Sequence, residues 1–519
     1  MKRRSFIKRT TAATIPVVLG GMKVAALNNP LFNALNVDDD KVLVLIQLGG
    51  GNDGLNMILP KDQYSNLAEV RPNIIIPESS ILDLTDTVGL HPVMEDLQTV
   101  YDAGQLNIVQ SVGYPDQNRS HFRSMDIWQT GSSADEVRTT GWLGRYFDLL
   151  APGYPTGYPN DTFTDPFAVT IGSSVNETCE GEGGNFSLAL VDPDNLSALA
   201  TPVNASLSPD SCYGDKMDFL VTSIIQTNAY NEVIEVASNN GNNLSTKYGD
   251  DNNLANSLKL VARLISGGLK TKVYVVNLGG FDTHAEQVVD GDVTTGVHPR
   301  LLQTLSGAIC AFQDDLNQMG LDDRVVGMTF SEFGRRIRSN GAFGTDHGTA
   351  APMMLFGSCV NPGIMGDNPV ISPDVDQNEG VPMQFDFRSV YGSILMDWFD
   401  MEEQVVKDLL YSDFQYVSVL RECTAISTEE VAKVASVSMQ VFPNPFKESV
   451  MVAFSVPNTW VKISLFDTIG NELRILTNQQ YTAGSHQVEM EGRGLAAGAY
   501  YYHLQTDYGR KVERVVLVK

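Results

Sequence analysis

The feature that most constrains the fold of this chain is a series of short runs that are apolar at almost every position. Residues 42–46, 273–276 and 325–330 are such runs. Strands that are apolar on both faces are expected in a parallel sheet covered by helices on each side, and helical patterns separate these runs. The sequence therefore predicts a doubly wound, mostly parallel α/β sheet over residues 38–425. A stretch rich in Pro, Gly, Asn and Asp, roughly 150–215, is expected to be a loop-rich insert.

The C-terminal part of the chain has a different character. Residues 438–519 consist of short alternating segments with turn residues between them, and residues 426–437 precede them as a linker. Alternation such as Val461, Ile463 and Leu465 is typical of a half-buried strand. We therefore expect a small C-terminal β-sandwich of about seven strands.

The N-terminus indicates targeting. Residues 1–26 contain the pair Arg3-Arg4, a modest apolar stretch and then small residues, which is the layout of a signal peptide. The segment resembles a twin-arginine signal, read by the twin-arginine translocase, and an ordinary Sec signal is the alternative. No later segment is apolar for long enough to span a bilayer, so no integral membrane segment is expected after processing.

Charge and cysteine content exclude several classes of protein. The net charge is −26, and it would become −32 without the six basic residues of the signal. Such an acidic surface repels nucleic acid. Five cysteines are too few for a disulfide scaffold. Cys179 and Cys212 are candidates for pairing in an oxidising compartment, and Cys310 lies in an apolar helical pattern that predicts its burial.

Acidic residues and histidines follow the predicted strands or lie between glycines. The carboxyl ends of parallel strands meet at one edge of a sheet, where such folds bind ligands. Carboxylate oxygens and imidazole nitrogens suit divalent metals such as zinc, manganese or iron, although each motif alone fits a surface turn. We predict a divalent-metal site, with zinc, manganese or calcium as candidates, formed by Asp53, Asp282, His284, Glu332, Asp346 and His347.

A second group of candidates precedes a predicted helix that ends at Thr130 and Gly131. The group comprises Arg119, Ser120, His121 and Arg123. A serine at a helix N-terminus is often only an N-cap. The same position also favours anion binding and an activated nucleophile. Both interpretations of Ser120 stay open from the sequence.

Six motifs in this region together resemble domain-of-unknown-function family 1501. The resemblance spans residues 41–425, and the family is similar to the alkaline-phosphatase and sulfatase superfamily. It implies a doubly wound sheet with two metals beside a nucleophile at a helix N-terminus. The motifs are Gly-Gly-Asn-Asp-Gly-Leu-Asn (50–56), Arg-Ser-His-Phe (119–122), Gly-Trp-Leu-Gly-Arg (141–145), Phe-Asp-Thr-His (281–284), Ser-Glu-Phe-Gly-Arg (331–335) and Gly-Thr-Asp-His-Gly (344–348).

The superfamily pattern maps onto part of the chain. Asp53 matches the metal ligand of the first strand, and Ser120 matches the nucleophile. Asp282 and His284 resemble a ligand pair, with one residue between them instead of three.

Two assignments are open for the remaining ligands. Asp346 and His347 are the superfamily's Asp-His pair in one of them. In the other, Glu332 is the ligand, Phe333 replaces the histidine, and His347 belongs to the terminal His-Gly segment.

The resemblance implies a secreted, metal-dependent hydrolase acting on phosphate or sulfate esters. Ser120 would attack phosphorus or sulfur in line, and Arg119 or Arg123 would hold the equatorial oxygens. His121 is the alternative ligand or proton donor. The substrate would be a small ester or a polysaccharide-derived one. The other reading is a non-catalytic cell-surface binding protein on the same fold with degenerate metal sites.

The tail carries its own resemblance. Residues 441–446, 465–467 and 495–501 resemble the type A sorting domain of the type IX secretion system of Bacteroidota. The resemblance implies transport by that machinery across the outer membrane, to the cell surface or the extracellular space.

The two address signals generate a testable expectation, because they are read at different membranes. Replacing Arg3-Arg4 by Lys-Lys should trap the precursor in the cytoplasm, whereas deleting residues 438–519 should leave it in the periplasm. Immunoblots of cell fractions check both outcomes. A tail-deleted chain that still reached the cell surface or the medium would contradict the sorting assignment.

Overall fold

The computed structural model describes two compact units, one ending at Cys423 and the other beginning at Thr424. The predicted signal (1–26) and the predicted linker (426–437) lie outside the described residues. The described residues are 40–195, 212–249, 251–421, 423 and 438–518, without 448, 457–458, 468–471, 482–483 and 507–508.

A mixed sheet organises the first unit, in the order β11-β5-β10-β9-β1-β8-β6-β7, with β12 also paired to β5. All of these pairings are parallel except those of β10, which is antiparallel to β5 and β9. A small sheet, β2-β4-β3, is separate. The strands are β1 (Val42–Gly49), β2 (Ile58–Pro60), β3 (Leu82–Asp83), β4 (Val88–Leu90), β5 (Leu106–Gly113), β6 (Ala168–Ile171), β7 (Ser187–Leu190), β8 (Val273–Gly279), β9 (Val325–Phe330), β10 (Ala351–Phe356), β11 (Gly363–Met365) and β12 (Phe385–Asp386).

Helices cover both faces of the sheet, which confirms the predicted doubly wound α/β class. Successive side chains of a strand point to opposite faces, so Leu43 and Leu45 enter one core while Val44 and Ile46 enter the other. No helix among the described residues is long and apolar enough to cross a membrane. The helices are α1 (Gly54–Met57), α2 (Tyr64–Val70), α3 (Glu95–Asp102), α4 (His121–Thr130), α5 (Trp142–Leu150), α6 (Cys212–Asn240), α7 (Asn253–Ser266), α8 (Val297–Met319), α9 (Phe387–Asp397) and α10 (Glu403–Leu409).

The register of the three central strands brings their following loops together. Gly49 at the end of β1 pairs with Gly279 at the end of β8, and Gln47 of β1 pairs with Phe330 at the end of β9. The loops after β1, β8 and β9 therefore leave the sheet side by side at one edge.

The region expected to be a loop-rich insert also supplies structure to the sheet. β6 and β7 lie within it and extend the sheet beyond β8. Phe167 and Phe186, which precede these strands, are 4% and 2% exposed, and their ring centroids lie 5.3 Å apart. The described part of the insert therefore contributes two short strands and aromatic core side chains between its loops.

The second unit consists of two antiparallel sheets, β13-β14-β17 and β16-β15-β18-β19. The side chains of Val452, Ile463 and Tyr502 are fully buried in a core that both sheets share. The predicted C-terminal β-sandwich is confirmed. Its strands are β13 (Ser438–Phe442), β14 (Ser449–Val456), β15 (Thr459–Phe466), β16 (Glu472–Tyr481), β17 (Gly484–Glu491), β18 (Gly498–Thr506) and β19 (Gly509–Leu517).

The cysteines differ from the sequence expectation. A disulfide joins Cys359 and Cys423, a pair that the sequence analysis did not consider. Cys179, the proposed partner of Cys212, is a buried free thiol. The predicted burial of Cys310 is confirmed, since it is 5% exposed.

The Cys359–Cys423 bridge should stabilise the first unit, because it closes a loop between residues 64 apart in sequence. A Cys359→Ser, Cys423→Ser double variant should lose about 2–4 kcal/mol of unfolding free energy. Urea titrations with and without dithiothreitol measure this loss. The reductant should destabilise the wild type and leave the double variant unchanged, and equal sensitivity of the two would contradict the prediction.

Candidate metal centre

Three histidines and one aspartate meet at the sheet edge where the central loops emerge. His121 is the first residue of α4, Asp282 and His284 follow β8, and His347 lies in the loop between β9 and β10. One donor atom from each of His121, Asp282 and His347 lies within 4.8 Å of the other two. His284 joins them, because its Nε2 is 3.1 Å from Oδ1 of Asp282.

Two glycines explain why these loops approach so closely. Gly50 has a φ of 120°, a conformation that side-chain-bearing residues rarely adopt, and a Cβ there would collide with the backbone nitrogen of Asp282. A Cβ on Gly344 would collide with the backbone of His284. The glycine-flanked motifs of the sequence therefore allow backbones to pack against each other.

The three imidazole rings are oriented in the same way. In each, Nδ1 faces an oxygen acceptor, so in the neutral ring Nδ1 carries the hydrogen and Nε2 carries the lone pair. The acceptors at 2.8 Å are Glu332 Oε1 for His121, Asp346 Oδ1 for His284, and the backbone oxygen of Arg119 for His347.

The three Nε2 atoms converge on the Asp282 carboxylate. Those of His284 and His347 lie 3.1 Å from Oδ1 and 2.9 Å from each other. Nε2 of His121 lies 3.4 Å from Oδ2, but it is a buried atom without a hydrogen-bond partner. Lone pairs aimed at a carboxylate repel it unless a proton or a cation lies between them.

A metal cation suits this arrangement better than added protons. Burial lowers the pKa of His347, and the nearby charge of Arg335 lowers it further, against hydrogen bonds that favour protonation. Histidines whose Nδ1–H donates to a carboxylate or a carbonyl are the usual ligands of divalent metals. The donor set therefore fits a divalent metal ion.

Arg335 connects the loops of the centre. Its guanidinium is buried, and it donates to the backbone oxygens of Gly51 at 2.6 Å and Phe281 at 2.9 Å. It also lies 2.8 Å from Oδ1 of Asp282. Burial works to raise the pKa of Asp282, but the hydrogen bond and the positive charge of Arg335 outweigh it and lower the pKa to about 2. Asp282 is therefore ionised at neutral pH.

Asp53, predicted as a metal ligand, has other partners. Both of its carboxylate oxygens accept from Nη1 of Arg71, at 2.9 and 2.7 Å, and Oδ2 also accepts from Gln287 at 2.7 Å. Burial works to raise the pKa of Asp53, but the charge and hydrogen bonds of Arg71 lower it. The structure thus pairs Asp53 with a guanidinium, and Asp53 is not among the converging donors.

Glu332 and Asp346, also predicted as ligands, lie 2.8 Å from the Nδ1 atoms of His121 and His284. Glu332 accepts from the backbone N–H of Gly50 at 2.9 Å as well as from His121. Burial works to raise the pKa of Asp346, but hydrogen bonds, first that from His284, lower it. Both carboxylates face Nδ1 atoms, on the side of each ring that points away from the convergence.

The four residues predicted for catalysis have different environments in the structure. Ser120 is the N-cap residue of α4, is exposed, and makes no side-chain capping bond. His121 is one of the converging donors. Arg119 donates to the backbone oxygen of Asn378 at 2.7 Å. Arg123 forms an ion pair with Asp126 and donates to backbone oxygens of residues after α4.

An open cleft of about 510 Å³ adjoins the centre at His121 and Glu332. Its most unusual residue is Phe122, whose side chain is 91% exposed. The lining contains no Lys or Arg among the described residues. Four amides line it: Gln47, Gln129, Asn176 and Asn277.

The roles of the buried arginines and the presence of the cleft could not be predicted from the sequence. Arg335 is the last residue of the motif 331–335, but the motif does not indicate that its side chain bonds three backbone segments. Arg71 lies 18 residues after Asp53 with no recognisable spacing. The amides of the cleft come from separate elements and leave no local pattern.

Comparison with known families accounts for both parts of the chain. Residues 40–410 match the family described as protein of unknown function DUF1501. The chain belongs to this family. Residues 440–519 match the secretion system C-terminal sorting domain, which directs the chain through the type IX secretion machinery to the cell surface or the extracellular space. No curated protein matches the chain.

Solved structures similar to this DUF1501 protein have low identity. A protein of the alkaline phosphatase superfamily from Vibrio parahaemolyticus is 10% identical, with 86% of each chain covered and a TM-score of 0.31. A Bacteroides thetaiotaomicron protein, described with the metabolism of multiple glycosaminoglycans, is 11% identical, with 84% of this chain and 89% of that chain covered and a TM-score of 0.32.

PorZ, a surface component of the type IX secretion system of Porphyromonas gingivalis, is also similar, at 17% identity and a TM-score of 0.14. The match covers 20% of this chain and spans only 14% of that protein.

The Asp53–Arg71 pair predicts a large effect on stability. Arg71→Met would leave a buried carboxylate without its partner, which should cost about 3–5 kcal/mol of unfolding free energy. The matched control is Lys407→Met, which removes the exposed Lys407–Glu403 pair and should cost less than about 0.5 kcal/mol. Urea unfolding measures both. Similar losses in the two variants would show that Asp53 tolerates isolation.

Proposed function

We propose that this DUF1501 protein is a secreted, metal-dependent hydrolase of phosphate or sulfate esters. The observation that carries the proposal is the convergence of three imidazole Nε2 atoms on the ionised Asp282 beside an open cleft. The ligands would be His121, His284, His347 and Asp282. A ligand set rich in imidazole favours zinc or manganese over calcium, which prefers oxygen ligands.

A divalent ion bound here supplies Lewis-acid polarisation of the ester oxygens and lowers the pKa of a hydroxyl or water that it binds. Ser120 is the proposed nucleophile, since it is exposed, immediately precedes His121 and makes no side-chain capping bond. The N-terminus of α4 favours an anionic group at the same place. Arg119 would hold the equatorial oxygens, together with Arg336, whose charge is near enough to lower the pKa of Arg119 in addition to burial.

The residues that line the cleft favour an ester of a hydroxyl-rich compound. Asp126, Glu177 and Glu332 make its lining acidic, which disfavours a polyanion beyond the reacting group. Amide side chains match the hydroxyls of a sugar, and the exposed face of Phe122 can stack on an apolar ring face. A small or polysaccharide-derived ester is therefore the proposed substrate class.

One observation favours a second function, that of a non-catalytic binding protein of the cell surface. Arg71 occupies the carboxylate of Asp53, which in the superfamily holds a metal. A protein that has lost one of its metal ions can still bind a ligand in the cleft without hydrolysing it.

The Ser120→Ala variant tests the enzyme proposal. With zinc- or manganese-loaded protein and a panel of aryl phosphates and sulfates, it should lower kcat by about three orders of magnitude or more. Its unfolding free energy should change by no more than about 1 kcal/mol. The matched control is Ser257→Ala on α7, which should keep wild-type turnover.

A His121→Ala variant separates the roles at this helix end. Turnover that survives Ser120→Ala and disappears with His121→Ala would reject the nucleophile while retaining the site. Absence of turnover in the loaded wild type, with oligosaccharide binding intact, would instead support the binding protein.

A further inference from the structure

The geometry points to a centre that holds one metal ion, bound by Nε2 of His121, His284 and His347 and by the Asp282 carboxylate. The Arg71 guanidinium supplies beside Asp53 the positive charge that a second ion would otherwise provide. This inference specifies the metal centre of the proposed hydrolase and therefore rests on that proposal.

The first step concerns the number of converging donors. Among the residues that the structure describes, the one group of three or more metal-ligating side chains with mutually close donor atoms is His121, Asp282 and His347. His284 adds its Nε2 at 3.1 Å from Asp282. Four donors of this type fill the tetrahedral shell of zinc, whereas a metal of higher coordination number such as manganese keeps a position for a further ligand.

The second step concerns the orientation of the rings. Each Nδ1 is occupied by an oxygen acceptor at 2.8 Å, so each ring is held with Nε2 as its metal-facing atom. The unpartnered, buried Nε2 of His121 is the strongest indication, because an imidazole nitrogen without a partner is costly to bury. A single ion among the four donors satisfies it.

The third step excludes Asp53 from a second site. Its carboxylate is 1% exposed, and the side chain of Arg71 is fully buried against it at 2.7 Å. A metal ion brought to this carboxylate would face a buried guanidinium of the same sign. Gln287 and Arg71 already satisfy both oxygens, so the local charge is balanced without an ion.

Metal content of the whole secreted chain tests the inference without any measurement of activity. Protein stripped with a chelator and reloaded with Zn²⁺ should contain one ion per chain by elemental analysis. X-ray absorption at the zinc edge should fit three imidazoles, and the His121→Asn variant should fit two. Two tightly bound ions per wild-type chain, or a zinc shell without imidazole, would overturn the inference.

Variants distinguish the ligands from Asp53. His121→Asn, His284→Asn and His347→Asn should each weaken Zn²⁺ binding by about 100-fold or more, exceeding the 10–100-fold effect of losing an orienting partner. Asp53→Asn should change it by less than about threefold. The control is His503→Asn in the sandwich, with no expected effect. A folded Asp53→Asn chain that lost zinc would overturn the assignment.

If Asp53→Asn does not fold, the Asp53→Leu, Arg71→Met double variant removes both charges together. Its affinity for Zn²⁺ should then also stay close to that of the wild type. A wild-type protein that binds one zinc ion but hydrolyses no ester would reject the proposed hydrolase and leave the one-ion centre valid. Failure to bind zinc would overturn the centre itself.

Discussion

The candidate centre depends on the buried guanidinium of Arg335. It donates to backbone oxygens of the loops after β1 and β8 and to that of Thr345, and it pairs with Asp282. A guanidinium has five donors in a fixed plane, so a single side chain can hold three backbone segments at defined separations. Its charge also keeps Asp282 ionised beside three histidines. The donors come from three chain segments, namely the start of α4, the loop after β8 and the loop between β9 and β10, and Arg335 bonds the last two to the loop after β1.

The fold was predictable where physical constraints are local. The apolar runs specified the central strands because a strand buried on both faces has no polar position. Strand-end and glycine-flanked positions predicted that Asp53, Asp282, His284 and His347 would meet, and the structure brings the last three together while Asp53 pairs with Arg71. β6 and β7 were not predicted, because their short apolar segments lie within a stretch whose composition indicates loops.

The different contacts of the four carboxylates could not be predicted from the sequence. Glu332, Asp346 and Asp53 occupy the same kind of strand-end or glycine-flanked position as Asp282. Whether a carboxylate faces Nε2 or Nδ1 of a histidine depends on loop geometry of a few ångströms, which no spacing encodes. The partner of Asp53 comes from just after α2, and a long-range ion pair leaves no periodic signal. The Cys359–Cys423 bridge was missed for a similar reason, since spacing does not determine disulfide pairing.

The charges around the centre connect its metal content with its proposed substrate. Asp282, Glu332 and Asp346 contribute three negative charges, and Arg119, Arg335 and Arg336 contribute three positive ones, while Asp53 and Arg71 cancel each other. The metal-free centre is therefore close to neutral within a chain of net charge −26. One divalent ion would give the proposed centre two positive charges, which would match a phosphate ester dianion and exceed the single charge of a sulfate monoester. A second ion would add two further charges beside Arg71, where no carboxylate is left to balance them.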